Sequence, residues 1–294
     1  MAASRVRPAR LRYPRLMAEY SHTSEHHRLH VADNGGVRTL RFERNQQSSM
    51  LLDDPFATDI EYVAYLHLAC AVVPDPTRAL VVGLGGGMLV KQLWRDHPPL
   101  TIDAVELDAE VADIAREFFG LPDDPRVAVH VCDGREFVEH HEATYDIVVI
   151  DAYDDDRIPR HLTTEEFMRA VYSRLRPDGV VAYNVIGSVS GTHSKPLRSL
   201  YRTAANVWGR VWLFPVKSAD PGGPQPENVV LLATDASLAK GELLARITSR
   251  AAGSVSVPGF ERFGEHLYHG RLRTGDVPII IDPPAHKHRR PAGL

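Results

Sequence analysis

Val81-Val82-Gly83-Leu84-Gly85-Gly86-Gly87-Met88 decides the fold. An apolar run from Ala79 enters a glycine-rich turn, and a helical pattern opens at about residue 87. Glycines at such a junction let backbone approach a ligand, and the helix N-terminus offers it free N–H groups. As a dinucleotide fingerprint the stretch breaks at its last position, where Met88 stands in place of the third glycine. Alone, it equally describes a tight turn with no ligand.

Outward from this junction, strand and helix alternate with short links. The spacing predicts strands at Ala79–Gly83, Thr101–Glu106, Val127–Cys132, Ile147–Asp151 and Val180–Val185, and helices at about 87–96, 109–119, 134–141, 163–176 and 194–207. Such alternation implies a parallel sheet covered on both faces. Val211–Val216 and Asn228–Ala233 flank a Pro/Gly-rich loop and read as an antiparallel pair ending that sheet. Leu238 to Arg250 reads as a further helix. Upstream, His26–Ala32 and Val37–Glu43 flank Asp33-Asn34-Gly35-Gly36, a hairpin signal because both central turn residues need positive φ. A helix from Asp59 to Val72 ends before Pro74 and Pro76. The chain thus divides into a basic flexible leader (1–20), an N-terminal β-hairpin element (21–58), a Rossmann-like α/β domain (59–250) and an irregular C-terminal segment with a basic tail (251–294).

Each strand of the central sheet ends on a polar residue. Glu106 closes the second, 19 residues after Gly87, where an acid can accept both hydroxyls of a ribose. Asp133, followed by Gly134, closes the third, where a carboxylate can take the exocyclic amine of adenine. Asp151 closes the fourth. Open α/β sheets bind ligands along this carboxyl edge. Each acid alone reads as a solvated loop carboxylate; the ordered set reads as a nucleoside site. Asp151, Asp154, Asp155 and Asp156 place four carboxylates within six residues. They suit a cationic amine, a magnesium ion or a solvated acidic turn.

Composition narrows the classes. Hydrophobic residues make up 44% and charged residues 24% of the 294. The longest apolar stretch, Tyr62 to Val73, has twelve residues and carries His67, which is too short to span a bilayer. The N-terminus has no apolar signal-peptide core. Cys70 and Cys132 each sit in an apolar run, which suggests buried thiols and a cytoplasmic address. Residues 1–15 carry five arginines and residues 285–294 three basic residues, with no acid in either. Without those eight charges the net charge falls from −4 to −12. A body that acidic is a poor nucleic-acid binder and attracts cationic acceptors. The histidines His22, His26, His27 and His30 have no cysteine or acid completing a tetrahedral set, so no metal is expected.

Residues 26–185 resemble the spermidine synthase family, the polyamine aminopropyltransferases, within the class I methyltransferase fold. The matching pieces are the N-terminal hairpin, the Gly83–Gly87 loop, Val105-Glu106-Leu107-Asp108, Pro125-Arg126-Val127, Cys132-Asp133-Gly134, Tyr145 to Asp151, His161 to Phe167 and Arg176-Pro177-Asp178-Gly179. The resemblance implies a co-substrate, S-adenosylmethionine or its decarboxylated form, with Gly83, Gly85, Gly87, Glu106, Asp133 and Gly134 holding it. It implies Asp151 and Tyr62 as catalytic residues, Gln47 on the acceptor, a small-molecule amine as acceptor, and a homodimer; Asp154, close behind Asp151 in the acidic cluster, is read from its place at the sheet edge as holding a second cationic group of the acceptor. It adds no nucleic acid, membrane or metal. A close subgroup of spermidine synthase-like proteins shares Gly83-Leu84-Gly85-Gly86-Gly87 and Asp151-Ala152-Tyr153.

Three departures stand out. Gly86 occupies the place of a loop aspartate that contacts the donor's aminopropyl amine in the family. Asp154-Asp155-Asp156 replaces an Asp-Pro, and a later tyrosine-bearing segment has no counterpart between Phe214 and Asn228. The sequence therefore leaves aminopropyl transfer, methyl transfer and a non-enzymatic nucleoside-binding scaffold open, with an NAD-linked oxidoreductase disfavoured by Met88.

Overall fold

Apolar alternation builds the N-terminal sheet: Leu29, Val31, Leu40 and Phe42 all point inward while their neighbours face out. The computed structural model describes residues 19–154, 157–216, 226–250 and 253–284. The Arg-rich leader to residue 18, Asp155, Asp156, nearly all of the Pro/Gly-rich loop and the basic tail lie outside the described residues. The N-terminal element is a four-stranded antiparallel sheet: β1 (Glu19–Thr23), β2 (Arg28–Asn34), β3 (Val37–Phe42) and β4 (Asn45–Leu51). The sequence foresaw only its central hairpin. The turn's central pair is Gly35-Gly36, at φ 58° and 83°, one residue beyond Asn34-Gly35.

The helix expected over 59–72 is two short ones, α1 (Glu61–Leu66) and α2 (Ala69–Val72). At their junction the backbone tightens, with Leu68 N–H donating to Tyr65 O at 3.0 Å and Ala71 N–H to Leu68 O at 3.0 Å. His67 turns its ring to Gln92, at 2.9 Å, and burial pushes it down to about 4, so it sits there neutral.

The main sheet then forms by crossover: β5 (Arg78–Val82), α3 (Met88–Asp96), β6 (Thr101–Glu106), α4 (Ala109–Phe118), β7 (Val127–Val131), α5 (Gly134–His140), β8 (Tyr145–Ile150), α6 (Glu165–Arg174), β9 (Leu175–Gly187) and α7 (Lys195–Ala205). β10 (Arg210–Pro215) and β11 (Glu227–Thr234) close it, and α8 (Lys240–Thr248) follows. The order is β10-β11-β9-β8-β5-β6-β7, parallel except for the β10–β11–β9 end. This is the Rossmann-like methyltransferase arrangement with an antiparallel end hairpin. Thr164 caps α6 by accepting from Phe167 N–H, and Asp108 and Asp133 cap α4 and α5 in the same way. Each such cap stabilises its helix by about 1 kcal/mol.

Two cores sandwich the sheet. Val81, Ala104, Val149 and Ala182 belong to the core that also takes in α1, α2, α3, α4, α8 and the N-terminal sheet. Val82, Val105, Ile150 and Tyr183 belong to the core under α5, α6 and α7. Two buried cations join the small sheet to the large one. Arg38 of β3 pairs with Asp33 at 2.7 Å and donates to the carbonyl of Phe118 at 2.7 Å. Lys91 of α3 donates to the carbonyls of Phe119 and Pro55, both at 2.6 Å, and burial pulls its ammonium down to about 7. Carbonyls at the end of α4 are thereby satisfied, and β4 is fixed beside the glycine turn. The irregular C-terminal segment is tied across α5, α6 and α7: Asp282 takes a bidentate pair from Arg135 at 2.6 and 2.7 Å, and Ile280 N–H donates to Thr203 at 2.9 Å.

Candidate active site

Period-two alternation carries polar residues to one place. The parity that buries Ala104 and Ala182 under α1 puts Glu106 and Asn184, two residues on, over the same face. Val81 and Val149 lead in the same way to Gly83 and Asp151, each one residue past its strand. These ends open into a cleft of about 510 Å³ between the carboxyl edge of the sheet, the small N-terminal sheet and α1. That volume suits a drug-sized or nucleoside-sized ligand.

Glycines make the floor. Gly83 has φ 95°, and a Cβ there would lie 2.3 Å from the carbonyl oxygen of Asp151, so no other residue fits. A Cβ on Gly134 would meet Val82 at 2.3 Å, which is why α5 can start so close beneath β5. Gly85 lines the cleft; Gly87 lies behind it, at φ 73°, as the N-cap of α3.

Glu106 holds the turn. Its carboxylate accepts from the N–H groups of Leu84 at 3.0 Å, Gly85 at 3.4 Å and Asp108 at 3.1 Å. Burial raises its carboxyl above the usual range, while those donors pull the other way. Asp133 is also engaged. One oxygen caps α5 through Arg135 and Glu136 N–H at 2.8 and 3.0 Å, and the other meets His161 Nε2 at 2.9 Å. Leu107, 49% exposed, and Cys132 line this half. The sequence reading of Cys132 as buried is therefore corrected: it follows the edge strand β7 and stands half-open to the cleft.

The opposite half centres on Asp151. Burial pushes its carboxyl up to about 7, with Asn184 and Tyr62 donating to it and pulling down. Asn184 Nδ2 donates to Asp151 Oδ1 at 2.8 Å, and Asn228 Nδ2 donates to Asn184 Oδ1 at 2.9 Å. Burial and the neighbouring Asp151 carry the Tyr62 hydroxyl well above its ordinary value. Tyr153 donates to the backbone carbonyl of Asn184 at 2.9 Å. Asp154 is exposed at the rim, its backbone bridging to Arg157.

Of the site residues expected from sequence, Gln47, Tyr62, Gly83, Gly85, Glu106, Asp133, Gly134, Asp151 and Asp154 all line the cleft; Gly87 does not. His26 and His27, not among the expected site residues, line it too, with His27 stacked on Phe42 at 4.3 Å between ring centres. Sequence reasoning missed Asn184, Asn228 and Leu107. Asn184 left a signal, as the one polar side chain inside the run Val180–Val185, and it is 1% exposed. Asn228 left none. Among the described residues no group of three or more His, Cys, Asp or Glu is placed to hold a metal ion, and no helix is long and apolar enough to cross a membrane.

A Rossmann-like methyltransferase sheet, with a glycine turn held by an acid at the end of its second strand, defines the structural class of the protein. Residues 60–193, a little under half of the chain, match the family model described as spermine/spermidine synthase domain. A probable polyamine aminopropyl transferase of Bifidobacterium longum is 32% identical over 161 residues, which span 55% of this chain and 35% of that protein. A polyamine aminopropyltransferase of Moorella thermoacetica is 33% identical over 187 residues, 59% of this chain and 64% of its own. The chain thus spans between about a third and two thirds of these relatives' length. The fold is also that of a probable spermidine synthase from Corynebacterium glutamicum, with a TM-score of 0.69 at 21% identity, covering 91% of this chain and 99% of the other.

Proposed function

We propose that the protein is an aminopropyltransferase, moving the aminopropyl group of decarboxylated S-adenosylmethionine to an aliphatic amine or polyamine. The observation that carries the reading is Asp151: a carboxylate at the end of β8, pushed up to about 7 and facing a tyrosine, beside the glycine turn that separates it from Glu106. A general base works best when its pKa lies near the operating pH. The sequence relatives named polyamine aminopropyltransferases support the same activity.

In this reading Glu106 accepts the ribose hydroxyls through the lone pairs its backbone donors leave free. Asp133 accepts the adenine amine when His161 yields, and Leu107 covers the ring. Gly83, Gly85 and Gly134 give the donor room, and Gly87 sets the turn. The acceptor nitrogen attacks the methylene next to the sulfonium in line with the C–S bond. The C–N bond forms as the C–S electron pair passes to sulfur, leaving methylthioadenosine. The new ammonium gives its proton to Asp151, oriented by Tyr62. Asp154 and Gln47 take the acceptor's second cationic group. Alignment of the two reactants can supply roughly 7–11 kcal/mol of the barrier. The reading includes a cytoplasmic homodimer that needs no metal, supported by two unpaired thiols and by the family resemblance.

Incubation with decarboxylated S-adenosylmethionine and a panel of diamines, read by mass spectrometry, tests it. Methylthioadenosine and an amine heavier by one aminopropyl group are expected. An acceptor heavier by a methyl group, formed from S-adenosylmethionine with release of S-adenosylhomocysteine, would replace this reading with methyl transfer.

A further inference from the structure

The antiparallel end of the sheet does more than close the fold. In the β9–β11 register Asn228 stands opposite Ile186, so its side chain shares a face with Asn184 and reaches it diagonally. An amide has two unlike ends, an acceptor oxygen and a donor NH2, and an ionised carboxylate can only accept. Asn184 satisfies Asp151 only with its NH2 end forward, at 2.8 Å. That choice turns its oxygen towards β11, where a donor has to stand, and Asn228 Nδ2 is there at 2.9 Å. Asn184 is fully buried, and Tyr153 donates to its backbone carbonyl, which leaves the side-chain amide to Asp151 and Asn228.

We propose that Asn228 is a positioning residue: through the buried amide of Asn184 it keeps a hydrogen-bond donor pointed at Asp151, which holds Asp151 ready to accept a proton. The inference rests on the reading of Asp151 as the proton acceptor for the incoming amine. Its physical content, however, is the polarity of a two-amide chain, which exists without substrate. The titratable groups next to Asp151 are Tyr62 on α1 and Tyr153 and Asp154 on the following loop. Glu106, Cys132 and Asp133 line the cleft from the sheet edge, Arg160 and His161 from the helical turn before α6, and His26 and His27 from the small sheet.

Reversing the polarity at the far end is the discriminating change. In Asn228→Asp the new carboxylate accepts only, so Asn184 turns its NH2 to β11 and presents its oxygen to Asp151. Asp151 is then satisfied only when protonated. The kcat–pH profile should move upwards, giving about a tenfold loss of kcat at pH 7 that is recovered at higher pH, with the donor KM unchanged. Asn228→Leu removes the donor without offering a competing acceptor, so Asn184 is released but not turned, and the profile moves the same way by a smaller step than in Asn228→Asp. Equal displacement of both profiles, or a uniform loss at every pH, overturns the proposal.

A second measurement needs neither a variant nor turnover. In the wild-type protein without substrate, the side-chain amide signals of Asn184 and Asn228 should titrate together with the carboxyl carbon of Asp151 by NMR. An Asn228 amide indifferent to that titration overturns the relay even if the aminopropyl reading stands. A shared titration in a protein with no transferase activity keeps the relay and removes the reading.

Discussion

The two halves of the cleft hold their carboxylates in opposite ways. On the donor side, Glu106 and Asp133 accept several backbone N–H groups from their own neighbourhood, and each does structural work before any ligand arrives. On the acceptor side, Asp151 accepts from side chains only, Asn184 and Tyr62, and burial lifts it to about 7. Backbone donors are part of the fold and cannot turn away; side-chain donors can be reoriented, and the acid they serve can be tuned. Under the proposed function this difference suits the first half to a constant nucleoside and the second to a change of protonation during reaction.

The sharpest way to break this comparison is Asp151→Asn. If the two halves are separable, the rate should fall by about a hundredfold or more, the range of general acid–base contributions, while methylthioadenosine affinity stays within about twofold. Steady-state kinetics with calorimetry on the same preparation measures both. A variant keeping half its rate removes Asp151 from the chemistry.

Glu106→Gln probes the other half. Leu84 and Gly85 donate to one oxygen of Glu106 and Asp108 to the other, so the amide keeps an acceptor for only one side, and a charge-assisted hydrogen bond to ribose worth roughly 1.5–3 kcal/mol is lost. Affinity for every adenosyl ligand should drop between about tenfold and a hundredfold, measured by calorimetry. Because the same carboxylate clamps the glycine turn, the melting temperature should fall as well. Unchanged affinity for methylthioadenosine takes Glu106 out of the site.

The difference in protonation also reaches stability. The folded-state value of Asp151, about 7, lies above its ordinary 3.8, so the folded protein binds more protons than the unfolded chain between these limits. Stability from this group is full at low pH and is lost as pH rises through about 7. Asp151→Asn does not titrate. It should match the wild type near pH 4 and exceed it at pH 8 by on the order of 1–3 kcal/mol, after discounting for the opening of the cleft to solvent. Thermal unfolding across that range checks the sign. A variant less stable than wild type at pH 8 contradicts the raised value.

The contrast also explains what could be read from sequence. The donor half is local: Gly83, Glu106 and Asp133 each end a strand and begin a turn, and their partners lie a few residues away or one crossover back. A linear pattern records such geometry. The acceptor half joins α1, the end of β8, β9 and β11. Asp151, as a strand end, and Asp154, in the acidic cluster behind it, were visible from the residues themselves, while Tyr62 and Gln47 came from family resemblance. Asn184 was detectable in principle as an amide inside an apolar run. Asn228 meets it only through the antiparallel register, which no local signal fixes. The ties of the C-terminal segment, such as Arg135 to Asp282, were hidden for the same reason.

The smallest expected effect concerns which donor enters, and here the structure changes the test that the sequence suggests. By the family resemblance Gly86 takes the place of a loop aspartate, so S-adenosylmethionine, with its extra carboxylate, should meet less repulsion here. It should bind within about tenfold of its decarboxylated form, a gap of ~1.4 kcal/mol. Restoring the acid as Gly86→Asp is a poor probe, because a Cβ there would lie 2.7 Å from Ser48 Oγ and 2.8 Å from the Phe119 ring. That variant should lose stability and bind both donors badly. Ser48 lines the cleft and already fills the space beside Gly86, so the charge is better supplied from β4, as Ser48→Asp. It should leave decarboxylated donor binding nearly unchanged and weaken S-adenosylmethionine several-fold, since like charges in a partly buried cleft repel. Competition between the two donors, measured by calorimetry on wild type and variant, decides it. A wild-type preference for the decarboxylated form of about a hundredfold or more means that another acid, with Asp154 the first to examine, already makes the contact Gly86 lacks.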